Sequence, residues 1–334
     1  MSFGVYRLKN EALVFGSIAF DYVMPVFPTL REEIPLKDGK IESLNIALVS
    51  NSLTILHGGT AGNIGFGIGY LGGKATIHSV VGKDFMSTYG KRLIDYKIDL
   101  AVKIYDDYET ARAYMISDKN NEQIIIWQPN AIKFIDTLDF SEIVAKKKDF
   151  FKIAIFAPGT AVSTLRGMKN TISLNSSIVK IFDPGQMVLT YSKQQFMKCF
   201  ELAEVVIMND VEWLKTENFG ITIASIRKIY PKKILIETLG EKGSIFYTPE
   251  GNFEVGITEP DRIVEVTGAG DAFRAGVIKG LLDNLSWEES AKYGSAIASV
   301  CIECKGGQGY EEITNVKVYQ KAKTVSIKYI DQKL

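Results

Sequence analysis

The sequence predicts an open α/β protein whose mostly parallel sheet is covered by helices on both faces. Three observations carry that expectation. Short β-branched runs recur along the 334 residues. Each is followed by a turn and a helical apolar pattern. Several are apolar at successive positions rather than alternating, as in Ile153–Ala157 and Glu204–Met208. A strand covered on both faces has no solvent side to keep polar, and such strands belong to parallel sheets sandwiched between helices.

In chain order, Leu13–Ile18 is the first such run, and Ala61–Leu71 follows as a helix with Ile64, Ile68 and Leu71 on one stripe. Thr76–Val81, Lys152–Ala157 and Val179–Asp183 read as strands, Ser192–Ala203 as a helix, and Val205–Met208 and Lys233–Leu239 as further strands. Gly270–Asn284 and Ser286–Cys304 close the series as helices. The alternation of strand and helix is that of an open α/β architecture.

Two stretches break the rhythm. Asp21–Leu53 holds Pro25, Pro28, Pro35 and Gly39 with few helix signals, and Lys103–Gln128 has strand patterns on both sides of the polar tip Asp118–Glu122, a hairpin signal. Paired together, they would form a small sheet projecting from the main body as a lid. The expected division is therefore residues 1–20, 54–102 and 129–334 in a large domain, with 21–53 and 103–128 in the lid. Length alone would suggest roughly two domains, at about 150 residues each.

Composition narrows the function. The 39 Lys and Arg balance 39 Asp and Glu, and 46% hydrophobic with 23% charged residues is ordinary for a globular chain. Without a basic excess, a nucleic-acid partner is not expected. The cysteines are Cys199, Cys301 and Cys304, an odd number at no framework spacing, which suits a reducing compartment. Cys301 and Cys304 form a CxxC, yet zinc wants four ligands and the histidines are only His57 and His78, so the pair reads as two small apolar residues on a helix. The N-terminus lacks signal-peptide features, and a cytoplasmic protein with no membrane partner is expected. The uncharged stretch Ser43–Gly73 is too broken by Asn45, Ser50, Asn51, His57, Gly58-Gly59 and Asn63 to be a membrane span.

Two glycine-rich motifs remain. Gly67, Gly69 and Gly72 match GxGxxG, the pattern of a nicotinamide dehydrogenase, but lie inside a helical pattern begun near Ala61, where close packing is the better reading. Glu265-Val-Thr267-Gly268-Ala269-Gly270-Asp271 is more telling. Gly268 and Gly270 let backbone amides approach a ligand, the segment opens a helix whose N-terminus favours anions, and an Asp lies in the first turn. Capping would explain the carboxylate but not the glycines. An anion pocket beside a carboxylate suits phosphoryl transfer to a hydroxyl, with Asp271 accepting the proton. The GxxxxGK[ST] pattern is absent, which excludes a P-loop enzyme.

At this point the chain resembles the ribokinase-like, or PfkB, carbohydrate kinases. Thr267–Phe273 resembles their C-terminal signature and His57–Gly73 their N-terminal one; Asn209-Asp-Val-Glu212 matches their NxxE element and Thr238–Gly243 their TLGxxG segment. The resemblance implies a three-layer α/β/α domain with a mostly parallel central sheet and a small β lid. It assigns Asp271 as catalytic base and Gly268, Ala269 and Gly270 as anion hole. Asn209 and Glu212 would organise Mg²⁺ and phosphate through water, and Thr238, Gly240 and Gly243 would bind ATP. Asp21, with Ser17 beside it, would hold substrate hydroxyls, and Gly58, Gly59 and Asn63 would complete that side. Glu265 stands where the family usually has Asp, so the monovalent-cation (K⁺) site that it would form with Thr267 is altered.

Within the family, the segments Gly16–Tyr22, Gly58–Asn63 and Asn209–Trp213, together with Arg274, look most like bacterial adenosine kinases. Trp127 falls where those enzymes place a lid aromatic that can stack a purine, and Gln186 after Asp183-Pro184 is a further candidate contact. The resemblance thus implies ATP-dependent 5′-phosphorylation of adenosine in purine salvage. The alternatives are a kinase of ribose, fructose, inosine or guanosine, or a non-catalytic nucleoside-binding protein. The partner is a small nucleoside or sugar, and the chain would be a monomer or a homodimer.

Overall fold

The computed structural model describes residues 10–330 apart from 35, 38–39, 42–45, 121, 142, 144–146 and 148. Its strands are β1 (Glu11–Phe15), β2 (Ala19–Phe27), β3 (Leu36–Lys37), β4 (Lys40–Ile41), β5 (Val49–Ser50), β6 (Thr54–Gly58), β7 (Ala75–Gly82), β8 (Ile98–Tyr105), β9 (Ala111–Ser117), β10 (Gln123–Gln128), β11 (Phe151–Phe156), β12 (Val179–Phe182), β13 (Val205–Asn209), β14 (Ile234–Thr238), β15 (Ser244–Tyr247), β16 (Asn252–Val255) and β17 (Ile327–Ile330). The main sheet runs β17-β16-β15-β14-β13-β12-β11-β1-β7-β8. From β14 to β8 every neighbouring pair is parallel, and β15, β16 and β17 extend the β14 edge antiparallel.

Successive residues of the central strands enter opposite cores. Ala12, Val14, Ile155 and Ile207 pack on the side of helices Thr60–Tyr70, Ala269–Leu282 and Trp287–Cys301. Leu13, Phe15, Ala154, Phe156 and Val206 pack on the side of helices Ala161–Leu174 and Lys193–Leu202. This two-sided burial is the physical cause of the unbroken apolar runs, and it makes the fold three-layered as expected. Helix Ala161–Leu174 is an addition. Its Ser163, Thr164 and Thr171 are buried, with Thr171 Oγ1 donating to Gly167 O at 2.9 Å, so polar residues stand where a clean apolar stripe would have revealed it. β8 and the antiparallel edge strands are likewise additions.

Gly67 and Gly69 lie inside helix Thr60–Tyr70 and not in a strand-to-helix turn. A β-carbon on Gly67 would sit 2.6 Å from Ala275 Cβ, and one on Gly69 2.5 Å from the Tyr96 carbonyl oxygen. Their glycines are packing features, and the dinucleotide reading falls.

The small sheet runs β10-β9-β2-β5, with β6 paired to Ala19–Val23 of β2 on the edge away from β9. β9 and β10 form the expected antiparallel hairpin, and the two distant segments meet as β2 parallel to β9. Thr54–Gly58 pairs in this small sheet, and Ile98–Tyr105 runs its full length beside β7 in the main one. The chain crosses between sheets at Gly59, whose φ of 82° makes the turn, rather than where the composition changes. Pro35, Gly39, Ser43 and Asn45 lie outside the described residues. No helix among the described residues is long and apolar enough to cross a membrane.

Candidate active site

The carboxyl ends of the parallel strands form one rim, the place where open α/β sheets bind ligands. Asp183 follows β12, and Asn209 and Thr238 end β13 and β14 in direct register. Asn209 caps helix Asp210–Thr216 in a reciprocal pair: its Oδ1 accepts from Glu212 N at 2.7 Å, while Asn209 N donates to Glu212 Oε2 at 2.9 Å. The NxxE spacing is thus the spacing of a capping box. Burial raises the Glu212 carboxyl above the ordinary range. Beyond Thr238, Gly240 (φ 59°) and Gly243 (φ 87°) turn the chain into β15. A β-carbon on Gly243 would meet the Val255 carbonyl oxygen at 2.0 Å, whereas Gly240 has open space.

Gly268 caps helix Ala269–Leu282 in the left-handed region at φ 81°. A β-carbon there would lie 2.4 Å from Gly307 Cα. The amide of Ala269 turns back to the Val266 carbonyl at 3.3 Å, and the first helical bond is Ala272 N–H to Gly268 C=O at 2.9 Å. The Gly270 and Asp271 amides therefore precede the helical ladder and have no carbonyl of it to bond. Asp271 Oδ2 accepts from Asn63 Nδ2 at 2.8 Å. Burial pushes the Asp271 carboxyl up to about 6, against the lowering effect of Arg274 and of the Asn63 hydrogen bond. Arg274, one turn on, pairs with buried Asp183 at 2.5 Å and donates to Gly270 O at 2.9 Å, which ties the helix start to β12.

The opposite wall comes from β2 and β6. Ala19 faces Gly58 and Asp21 faces Leu56 across this antiparallel pair. Gly59 presses against the start of β2: a β-carbon would lie 2.6 Å from Ala19 N. Ser17 is engaged with the start of helix Thr60–Tyr70, its Oγ accepting from Thr60 N at 3.2 Å. Burial, then the carboxylates of Glu265 and Asp271, push the Asp21 carboxyl up to about 7. Glu265 Oε2 accepts from Gly306 N at 2.9 Å, and the Thr267 carbonyl accepts from buried Cys301 Sγ at 3.7 Å. Cys199, Cys301 and Cys304 are free, and no group of three or more His, Cys, Asp or Glu gathers as a metal site among the described residues.

Register places the last candidate. Asp21 pairs with Ala113 on β9, and Ala113 pairs with Trp127 on β10. Residues in one row of a sheet share a face, so Trp127 stands on the Asp21 face with only the small Ala113 between. Val23, Met115 and Ile125 form the next row on that face. Trp127 is 48% exposed and Ile125 57%. Gln186 is exposed in the short turn Gly185–Thr190, three residues after Asp183. Sequence reasoning missed Tyr89, Arg92 and Gln308, which contact the Asn63 side; only the run Gly306-Gly307-Gln308-Gly309 hinted at them.

Backbone amides at a helix start, a carboxylate in the first turn and no Walker loop, at the carboxyl rim of an open α/β sheet, suit phosphoryl transfer to a hydroxyl. Residues 40–313 match the sequence pattern of the pfkB family carbohydrate kinases, and the chain belongs to that family. It is 28% identical to a nucleoside kinase of Methanocaldococcus jannaschii over 308 residues, covering 92% of this chain and 93% of that protein. A nucleoside kinase of Methanothermobacter thermautotrophicus is 26% identical over 302 residues, 90% and 91% of the two chains. Among solved structures, the Burkholderia thailandensis nucleoside kinase in complex with inosine superposes with a TM-score of 0.79 at 25% identity, covering 94% of this chain and 97% of that one. The Methanocaldococcus jannaschii nucleoside kinase gives 0.80 at 26% identity, covering 94% and 98%. The phosphotransferase class and the ribokinase-like fold expected from the sequence are therefore established.

Proposed function

We propose that this kinase transfers the γ-phosphoryl group of ATP to the 5′-hydroxyl of a nucleoside, with adenosine as its acceptor and AMP as product. The carrying observation is the row Asp21–Ala113–Trp127. Two strand spacings, roughly 10 Å, separate the backbone positions of Asp21 and Trp127, which is the scale of a nucleoside rather than of a pentose. Asp21 holds the ribose hydroxyls, and Trp127, with Ile125 beside it, offers the base an apolar shelf. A second reading, inosine as acceptor, draws support from the inosine complex of the Burkholderia thailandensis relative.

In the reaction, the 5′-oxygen attacks the γ-phosphorus in line, its proton passes to Asp271 Oδ, and the bond to ADP breaks. Of the expected anion hole Gly268, Ala269 and Gly270, the Ala269 amide is engaged with the Val266 carbonyl, and the Gly270 amide, with that of Asp271, holds the transferring group. Arg274 keeps that helix start in place through Gly270 O and Asp183. ATP lies along Asn209, Thr238, Gly240 and Gly243; that the Burkholderia thailandensis nucleoside kinase forms a complex with ADP-inosine supports the use of a nucleotide. Mg²⁺ would neutralise phosphate charge. Glu212 Oε2 is taken by Asn209 N–H, so the other oxygen would hold the cation through water. Glu265 and Thr267 would hold K⁺ only with altered geometry, because Glu265 is one methylene longer than Asp and one of its oxygens accepts from Gly306 N. The small sheet serves as the lid, and its closure excludes competing water.

Coupled assays with ATP and Mg²⁺ on adenosine, inosine, guanosine, ribose and fructose test this reading. Adenosine is expected to give the highest kcat/KM. Higher kcat/KM on inosine supports the second reading, and turnover of ribose or fructose above every nucleoside overturns both.

A further inference from the structure

Behind Asn63 lies a buried polar chain that the reaction scheme does not use. Asn63 Oδ1 accepts from Gln308 Nε2 at 3.0 Å, and Gln308 Nε2 also donates to Tyr89 Oη. Tyr89 Oη donates to the Gly58 carbonyl at 2.9 Å. At the other end, Arg92 Nε donates to Gln308 Oε1 at 3.3 Å and Arg92 Nη2 to Gln308 O at 3.1 Å, while Arg92 pairs with Glu311 and lies over the Phe66 ring. Gln308, Asn63 and Tyr89 are all buried.

Both ends fix the direction of every bond. A carbonyl only accepts, so Tyr89 O–H points at Gly58 and its oxygen must accept from Gln308. A guanidinium only donates, so Gln308 Oε1 faces Arg92 and its amide nitrogen faces Tyr89 and Asn63. Asn63 then has one satisfied orientation: Oδ1 to Gln308 and Nδ2 to Asp271. A flipped Asn63 would set two N–H groups against each other and turn an oxygen toward a carboxylate. We propose that Gln308, gripped by Arg92, is a positioning residue that locks the Asn63 amide so that it donates to the Asp271 carboxylate.

The inference rests on the reading of Asp271 as the base only for its catalytic consequence; the coupling itself is read without turnover. Asp271 is faced by Arg274 on its own helix, Asp183 after β12, Asp21 on β2, Tyr89, and Cys301 and Tyr310 from the far wall, and none of these changes in the variants below. The Asp271 carboxyl carbon is titrated by NMR in the ligand-free full chain, for wild type, Gln308→Met, Asn63→Ala and the double variant. Because the Asn63 donor favours the ionised form, Gln308→Met is expected to raise the midpoint by about 0.5–1 unit. The same substitution in the Asn63→Ala background should add no shift, and the acid limb of kcat should move with the midpoint. Should Gln308→Met not fold, Arg92→Lys keeps the charge, loses the two-point grip, and is expected to shift the midpoint the same way. An unmoved midpoint, or shifts that add across the double variant, overturns the proposal. If no acceptor is phosphorylated by the wild type, the proposed function fails while the titration still decides the coupling.

Discussion

The carboxylate of Asp21 lies directly over Gly58: a β-carbon on that glycine would stand 2.2 Å from Asp21 Oδ2 and 2.7 Å from Cγ. Asp21 and Gly58 come from neighbouring strands of the small sheet, and Gly58 O also accepts from Tyr89, so the backbone there cannot retreat. Gly58→Ala must therefore push the Asp21 side chain out of place. The expected outcome is a fall of about 10–100-fold in kcat/KM for the nucleoside, with KM for ATP unchanged. Steady-state kinetics with each substrate varied in turn checks it; an equal loss on both substrates would point to general unfolding instead.

The pH dependence follows from the two raised carboxyls. Burial holds protons on Asp271 to about 6 and on Asp21 to about 7, and a base works only when ionised. Activity should therefore rise with pH across that window, and the acid limb of kcat/KM, which reports the free enzyme, should lie well above an ordinary Asp. Asp271→Asn should cost about 10²–10⁴ in turnover with ATP affinity retained. Near-normal turnover of this variant would refute the assignment.

The legibility of this site in the sequence divides along a physical line. Asp271 and the glycines before it stand within a few residues of one another, so a local pattern sufficed to expose them, as it did for the Asn209–Glu212 capping box. Trp127 was legible as a type of residue, yet its facing Asp21 depends on two registers through Ala113. Gln308 and Arg92 could not be found that way. They reach Asn63 from positions more than two hundred residues apart, and neither residue type is unusual alone. For the fold, strands buried on both faces were unmistakable, whereas the antiparallel edge β15–β17 has short strands with mixed exposure, such as Asn252–Val255 beside Ile327–Ile330.

Stability should respond to pH with a definite sign. The folded chain keeps the Asp21 proton up to about 7, while an unfolded chain releases it near the ordinary Asp value of 3.8. Between those values the native state binds more protons, so this group makes stability fall as pH rises through the window. Asp21→Asn removes the effect. Its melting temperature should exceed that of the wild type at about pH 8, corresponding to about 4 kcal/mol, and the gap should close near about pH 4. Calorimetry at the two pH values decides it, and a gap that widens at low pH would contradict the raised carboxyl.

Trp127 tests the acceptor. If the indole covers a base, Trp127→Ala should raise KM for adenosine by about 10-fold or more, as loss of about 1–3 kcal/mol of stacking implies, and should leave KM for ribose unchanged. A shift of the same size on both acceptors would make the residue a packing element of the small sheet. The companion change Ala113→Leu, in the gap between Asp21 and Trp127, should exclude the nucleoside while sparing ATP binding.

Two glycines of similar conformation are expected to behave oppositely. Gly268 and Gly240 both have positive φ, 81° and 59°, so any side chain at either is strained by about 1 kcal/mol or slightly more. What differs is the space. A β-carbon at Gly240 meets nothing within 4 Å, whereas at Gly268 it would strike Gly307 Cα at 2.4 Å and the Gly307 nitrogen at 3.3 Å, both backbone atoms. Gly240→Asn should thus be tolerated by the fold, with a melting temperature within a few degrees of the wild type, and any loss of activity should be confined to a higher KM for ATP. Gly268→Ala must separate two backbones. Because Gly307 also packs against Asn63, that separation disturbs both the anion pocket and the donor to Asp271. Turnover should fall by about 10²-fold or more, and phosphate-bearing ligands should bind more weakly. Equal tolerance at the two positions would mean that the Gly268–Gly307 contact has no part in holding the transferring group.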